Sequence, residues 1–194
     1  MGRWKAIEEA KGLTRSVDFV FTLGTVLLDY KLSFYNVEEG TAEYDKVYHT
    51  VNQRCAERTL RMCKRLGGYY IKFGQMVSTL DQGVPQEWVQ TLSQCQDKAT
   101  PVPFSAISRV MTEDLGVDPD KVFQTIDEYP IGAASLAQVH RAVLRSGEEV
   151  AVKIQYPSIR RFTLIDMRDC DWATRVIKRL FPTFEFTVCS KCME

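Results

Sequence analysis

The sequence predicts an α+β fold in which helices come first, a small three-stranded antiparallel sheet follows, and a helix comes last. Between about residues 43 and 116, apolar side chains recur every three or four positions, which is typical of amphipathic helices. From Phe123 the spacing changes to strand-like alternation over three short segments. A length of 194 residues suffices for one well-buried domain or two small ones.

The composition is that of an ordinary globular protein, with 45% hydrophobic and 26% charged residues. The 25 basic residues balance 25 acidic ones, so no overall basic field indicates a nucleic-acid partner. Six cysteines without a recognisable signal peptide predict reduced thiols in an intracellular compartment.

Residues 1–40 are predicted to form a helical segment that can associate with a membrane. Its most apolar run, VDFVFTLGTVLL at residues 17–28, is twelve residues long and contains Asp18. A bilayer span needs about 20 apolar residues, so we predict a buried or interfacial helix. Glu8 and Glu9 argue against a transit peptide, since these peptides avoid acidic residues.

Residues 41–117 are predicted to be helical throughout. The first helix, from Glu43 to Leu66, ends at Gly67 and Gly68, because glycine readily adopts the left-handed cap conformation. YYIKFGQMVSTL forms the second helix, and the third begins around Pro85. A short fourth helix begins with Ser105 as its N-cap and stops at Gly116.

Residues 118–186 carry the predicted sheet and the last helix, and residues 187–194 form a tail without a clear period. The three strands lie within VFQTIDEYP, SLAQVHRAVL and EEVAVKIQYP, with the turn RSGE between the second and third. The last helix is predicted over residues 158–180.

Lys153 stands in the third strand, about twenty residues after the small-residue turn GAAS at residues 132–135. Small residues let a backbone approach phosphates closely, and a lysine on the third strand of a kinase sheet pairs the α- and β-phosphates of ATP. VAVK is close to the kinase signature V-A-I-K, although a lysine at the end of an apolar strand can also simply reach solvent. We therefore predict a nucleotide site for ATP or ADP at Ala133, Ala134, Ser135 and Lys153.

Two motifs give the chain a family resemblance. PIGAASLAQVHRA at residues 130–142 and IKFGQ at residues 71–75 resemble the UbiB-like, aarF-domain-containing atypical kinases, in which an alanine-rich loop replaces the glycine-rich one. The second motif matches the family's KxGQ with Lys72, Gly74 and Gln75. The resemblance covers roughly residues 15–186 and is closest to the aarF-domain-containing kinase 5 subgroup. It implies KxGQ helices followed by a partial protein-kinase-like N-lobe.

The resemblance also implies a function. The family is associated with mitochondria or plastids and with ubiquinone or lipid homeostasis, often as an ATPase, and its KxGQ segment is thought to fold over the active site. Lys72 and Gln75 are three residues apart, so on a helix they share one face and could plug a polar cleft. The alternative is a solvated helix face.

A complete phosphotransferase needs acidic residues that are not found here. Residues 154–184 contain no glutamate, only Asp166, Asp169 and Asp171, and the sequence contains no D-F-G. We therefore expect a truncated form with no complete catalytic set, with weak nucleotide binding, and with Mg²⁺ bound only in a full-length form. The alternative is a non-catalytic fragment without a nucleotide role that binds a membrane lipid or a mitochondrial protein partner.

Cysteine and histidine do not predict a metal site. Cys189 and Cys192 form a C-x-x-C without a second ligand pair, and His49 and His140 lie far away in sequence. A structural zinc site needs four ligands. His140 is predicted to be a hydrogen-bonded sheet residue and not a catalytic base.

Overall fold

The computed structural model describes residues 2–80, 83–96 and 101–180, with side chains from residue 9 onward. The chain divides into two compact units, which we call the helical unit (Met1–Gln96 with Leu164–Glu194) and the sheet unit (Asp97–Thr163). The predicted α+β class is confirmed, with N-terminal helices, a small antiparallel sheet and a C-terminal helix in that order.

The helical unit contains α1 (Gly2–Ser33), α2 (Ala42–Leu66), α3 (Tyr69–Val77), α4 (Gln86–Leu92), a 3₁₀ turn (Ser93–Gln96) and the larger part of α7 (Pro157–Leu180). The predicted 43–66 helix is confirmed as α2, whose N-cap Thr41 accepts a hydrogen bond from the Tyr44 amide. It ends where predicted, since Gly67 and Gly68 have φ angles of 65° and 55°.

Two aspartates of helix α1 pair with arginines of α2. Arg65 forms a bidentate pair with Asp18, with N–O distances of 2.7 and 2.6 Å, and Arg54 and Arg58 both bind Asp29. The exposed side of the helix is instead apolar, with Leu13, Val17, Val20, Phe21, Leu28 and Leu32 each at least 42% exposed. In the part of the chain that the structure describes, no helix is long and apolar enough to span a bilayer.

The Asp29 carboxylate makes the helical unit sensitive to acid. Its two arginine partners and Ser33 lower the pKa of Asp29 to about 2, against about 3.9 in an unfolded chain. A lowered native pKa stabilises the fold above the unfolded pKa, and this contribution is lost as the pH falls toward the native value. We expect the free energy of unfolding to fall between about pH 4 and pH 2 more steeply in the natural protein than in Asp29→Asn. Equal slopes in chemical denaturation would contradict this prediction.

The sheet unit contains α5 (Phe104–Leu115), the helical turn α6 (Pro119–Val122), four strands and the first turns of α7. The strands are β1 (Phe123–Ile126), β2 (Gly132–Ala133), β3 (Ala137–Leu144) and β4 (Glu149–Gln155). Strand β3 is central and antiparallel to its three neighbours. Helix α5 begins at Phe104 with Pro103 as its N-cap, so the prediction that Ser105 caps it is wrong, whereas Gly116 does end it with a φ angle of 67°.

The sheet has one strand more than the sequence predicts, because Gly132 and Ala133, which were predicted to belong to the small-residue turn, form the short strand β2. Strands β1 and β2 pair with the two halves of the same strand, β3. Pairing is kept up to the Asp127 amide, which donates to the Arg141 carbonyl, and resumes at the Ile131 amide, which donates to the Val139 carbonyl. Between them lies Pro130, which has no amide hydrogen to donate to a neighbouring strand.

One face of the sheet forms the core of its unit and the other is open. Val150, Val152 and Ile154 alternate along β4 and belong to the apolar core with α5, which contributes Ile107 and Met111. The residues between them in β4, including Ala151 and Lys153, are exposed. We call the side of the sheet that carries these two residues the open face.

Candidate nucleotide site

The predicted small-residue loop is a tight hairpin between β2 and β3. The Ala134 amide donates to the Ala137 carbonyl at 2.8 Å, which leaves Ser135 and Leu136 at the tip. The Tyr156 amide then donates to the Leu136 carbonyl at 3.0 Å, so the tip is tied to the end of β4. The hairpin is therefore held beside the strand that carries the lysine.

Strand register places the lysine and the hairpin in one row. Val139 of β3 lies opposite Gly132 of β2 on one side and opposite Lys153 of β4 on the other. Directly opposed residues in an antiparallel pair share a face, so these three positions all belong to the open face. Since Gly132 has no side chain, Lys153 and Val139 stand beside an uncovered stretch of backbone.

No described residue pairs with the Lys153 ammonium. The three aspartates of α7 that could have served are engaged elsewhere: Asp166 with Arg15, Asp169 with Ser16 at 2.7 Å, and Asp171 with Arg175 at 2.6 Å. On the open face, Arg141 is neutralised by Glu149 through a bidentate contact of 2.7 and 2.6 Å. Lys153 is thus an exposed cation with capacity for an anionic ligand.

His140 is a structural residue behind this face. Its Nδ1 lies 2.7 Å from the Asp127 carbonyl oxygen, which can only accept, so Nδ1 carries the proton. Nε2 is then free to accept a hydrogen bond from the Gln138 amide at 2.9 Å. Both side chains are fully buried, and the Gln138 oxygen accepts from the Val102 amide at 3.0 Å. The prediction of a hydrogen-bonded sheet histidine is confirmed.

The KxGQ motif lies in α3, within the helical unit, and two of its members pack against the 3₁₀ turn. A Cβ atom added at Gly74 would lie 2.6 Å from the Cys95 Sγ, closer than real contacts allow, and 3.2 Å from the Cys95 Cβ, which is a tight contact. Gln75 donates from Nε2 to the Cys95 carbonyl at 2.9 Å. Lys72 is exposed. Gly74 and Gln75 therefore fix the helix in place, a role that the sequence analysis missed although a glycine in the interior of a predicted helix was a signal for it.

A buried ion-pair cluster in the helical unit was also missed. Arg15 binds Asp166 through Nε at 3.1 Å and Nη2 at 2.6 Å, and its Nη1 donates to the Leu66 carbonyl at 2.6 Å. Tyr70 donates to Asp169 at 3.3 Å and lies under the Arg15 guanidinium, 5.6 Å from the ring centre. Burial raises the pKa of Asp166 although Arg15 opposes the shift. No local pattern predicts this cluster, because Arg15 and Asp166 are 151 positions apart.

The cysteines and histidines considered as metal ligands are the remaining candidate site residues. Cys189 and Cys192 lie outside the described residues. His49 lies in α2, where its Nδ1 is 2.5 Å from a Glu87 oxygen. Residues 2–80, 83–96 and 101–180 contain no group of three or more histidine, cysteine or acidic side chains placed to hold a metal ion.

Comparisons with known proteins show which family the chain resembles. The model of the ABC1 atypical kinase-like domain matches residues 94–194, which is just over half of the chain. Secreted RxLR effector protein 27 of Plasmopara viticola is 39% identical over 89% of this chain and 74% of its own length. AarF domain-containing protein kinase 1 of Xenopus laevis is also 39% identical, over 90% of this chain.

The chain spans only 34% of the length of that Xenopus kinase. A solved structure of Rv3197 with erythromycin, from Mycobacterium tuberculosis, is 29% identical over 76% of this chain and 38% of its own, with a TM-score of 0.42. Similarity to the kinase 5 subgroup stays a prediction, since the AarF relative named above is a kinase 1. By the domain match and the two relatives, the chain belongs to the ABC1, or AarF, atypical kinase-like family.

Proposed function

We propose that the sheet unit binds an adenine nucleotide, ATP or ADP, on its open face. The observation that carries the proposal is the row formed by Gly132, Val139 and Lys153, in which an exposed lysine without a described partner faces a hairpin of small residues. An unpaired ammonium stabilises a phosphate, and the methyl groups of Val139 and Ala151 offer a flat apolar surface to a base.

The small size of the hairpin residues would let the phosphates of the nucleotide approach the backbone closely. Gly132 and Ala134 are exposed, so a ligand can reach their backbone. Ala133 and Ala134 carry only methyl groups, and Ser135 stands at the tip, where its hydroxyl adds a hydrogen-bonding group. The Ala134 amide already donates to Ala137, so the hairpin keeps its shape without a ligand.

The proposal extends to the catalytic activity of a full-length protein of this family, which would be phosphoryl transfer or ATP hydrolysis. Phosphoryl transfer or ATP hydrolysis depends on Mg²⁺ ligands and a base to compensate charge on the γ-phosphate. The described residues contribute the lysine and the hairpin to such a site. A mitochondrial location and a role in ubiquinone or lipid homeostasis are supported only by the family resemblance.

Replacing the lysine tests nucleotide binding. We expect Lys153→Ala to weaken ADP binding by at least tenfold in calorimetric titration, because the only cation in the proposed row is lost. Lys121→Ala removes an exposed lysine from α6 of the same unit and serves as the control, for which we expect unchanged affinity. Equal affinity in Lys153→Ala and the natural protein would refute the site.

A membrane-binding role is the second candidate, favoured by the apolar outer side of α1. Asp18 and Asp29 of this helix pair with arginines of α2, while Phe21 and Leu28 are 70% and 60% exposed. Lys11 and Lys31 are exposed near the two ends of that apolar stretch. A helix with this arrangement lies in the membrane interface, with its cations near anionic lipids.

Flotation with anionic liposomes tests this role. We expect the double substitution Phe21→Asp and Leu28→Asp to abolish flotation, because both carboxylates would enter the apolar boundary of the bilayer. Leu164→Asp, at a 76% exposed position of α7, is the control and should float as the natural protein does. Flotation that survives the α1 substitutions would remove the membrane role from this helix.

A further inference from the structure

The helical unit contains a large cavity that the proposed nucleotide site does not use. Its volume is about 820 Å³, and residues of α1, α2, α3, α4 and the later turns of α7 line it. Protein interiors are close-packed, so a space of this size within one unit is unusual, and it falls in the range of small-molecule sites.

The cavity is elongated. Along α1 its lining runs from Phe19 to Lys31, and along α2 it runs from Tyr44 to Met62. At 1.5 Å per residue these stretches are about 18 and 27 Å long. Phe34 and Tyr44 meet at one end, with ring centres 5.2 Å apart, so the two helices run antiparallel along the cavity. A long narrow space fits an extended chain better than a compact ring system.

Polarity changes along this length. At the far end the lining is mainly apolar and includes Phe19, Leu23, Met62 and Phe73, with Thr22 and Thr59 among them. At the other end it includes the phenols Tyr44 and Tyr48 and the charged side chains of Lys31 and Glu39. The lining therefore has an apolar end and a hydrogen-bonding end.

The polar groups in the middle of the wall are satisfied within the protein. Tyr30 donates to the Asn52 side-chain oxygen, and Trp88 Nε1 lies 3.0 Å from the Tyr30 oxygen. Asn52 donates in turn to the Tyr48 carbonyl at 2.9 Å. Because these groups already have partners, the middle of the cavity offers apolar contact and requires nothing polar of a ligand.

We propose that this cavity binds a single-chain amphiphile of the long-chain fatty acid type, with its hydrocarbon tail between Phe19 and Met62 and its head group near Tyr44 and Tyr48. Moving a hydrocarbon tail from water into an apolar cavity is favourable, whereas water makes no hydrogen bonds with an apolar lining. The proposal does not depend on the nucleotide site, because every residue that lines the cavity belongs to the helical unit.

Saturated fatty acids of increasing length test the proposal in displacement of a fluorescent fatty acid from the full chain. We expect one molecule bound per chain and an affinity that rises by about fourfold per methylene and then stops rising once the tail fills the cavity. Affinity that continues to rise with length, or binding of many molecules per chain, would indicate surface partitioning and overturn the proposal. The same assay with a monoacylglycerol tests whether the head group must carry a charge. If the monoacylglycerol binds as tightly as the fatty acid of the same chain length, the head group is recognised by hydrogen bonds alone.

Substitutions that fill the space locate the site. Ala173 is 6% exposed and lines the cavity, so Ala173→Phe should weaken binding at least tenfold. Ile177→Trp, also in the lining, is a second such variant should the first fail to fold. Leu164→Ser alters an exposed position of α7 that does not line the cavity, and this variant should bind the fatty acid as the natural protein does. Unchanged binding in a folded cavity-filled variant, or its loss in Leu164→Ser, would overturn the proposal.

Discussion

Asp166→Ala should destabilise the protein by about 3–5 kcal/mol, the range for removing one member of a buried ion pair. Asp166 is 1% exposed and receives two hydrogen bonds from the Arg15 guanidinium, itself only 14% exposed in its side chain. Without the carboxylate, the Arg15 guanidinium would lose the ionic acceptor of two of its hydrogen bonds at a position largely shielded from water. Chemical denaturation would measure the loss.

Asp171→Ala is the matched control on the same helix. Its partner Arg175 is four residues away, and both side chains are more than half exposed. Exposed pairs of this kind contribute about 0.3–0.5 kcal/mol. A loss in Asp166→Ala no larger than in Asp171→Ala would show that the buried pair does not hold α1 and α7 together.

Gly74→Ala should also destabilise the protein, by about 1–2 kcal/mol. Overpacking costs about 1–3 kcal/mol, and the better helix propensity of alanine returns up to about 1 kcal/mol of it. The new methyl group would meet the Cys95 Sγ at 2.6 Å. The hydrogen bond from Gln75 to the Cys95 carbonyl limits how far the 3₁₀ turn can move away from α3. Thermal and chemical unfolding would measure the change.

Gly24→Ala is the control for this prediction, because a Cβ atom at Gly24 in α1 would meet nothing within 4 Å. That substitution should stabilise the protein by about 0.5–1 kcal/mol through helix propensity alone. Adding Cys95→Ala to Gly74→Ala should recover part of the loss, since it removes the sulfur that the methyl group meets. Two glycine substitutions with effects of the same sign would contradict the packing role of Gly74.

Local patterns were enough to predict most of the elements. Three- and four-residue spacing predicted α2, and Gly67 and Gly116 ended helices where the sequence indicated, because a positive φ angle is a local requirement that glycine meets. Alternation and the RSGE turn predicted β3 and β4. The short strand β2, at the start of the predicted GAAS turn, was missed because it depends on which amides β3 accepts from, which is a tertiary property.

The site was only partly predictable for the same reason. Lys153 and the GAAS hairpin are marked by residue type and spacing, and the register that puts them in one row follows from the two short turns on either side of β3. The Arg15–Asp166 pair and the contact of Gly74 with Cys95 join residues that are distant in sequence. The pairing of the α1 aspartates also depends on arginines of α2, which no pattern within α1 reveals.

The central claim is that nucleotide binds on the open face of the sheet, and amide chemical shifts in a titration with ADP test it most directly. We predict that the largest shift changes occur in residues 132–136, at Val139 and in residues 151–153, and that they disappear in Lys153→Ala. Changes centred on the helical unit, or none at ADP concentrations that saturate related nucleotide sites, would contradict the account.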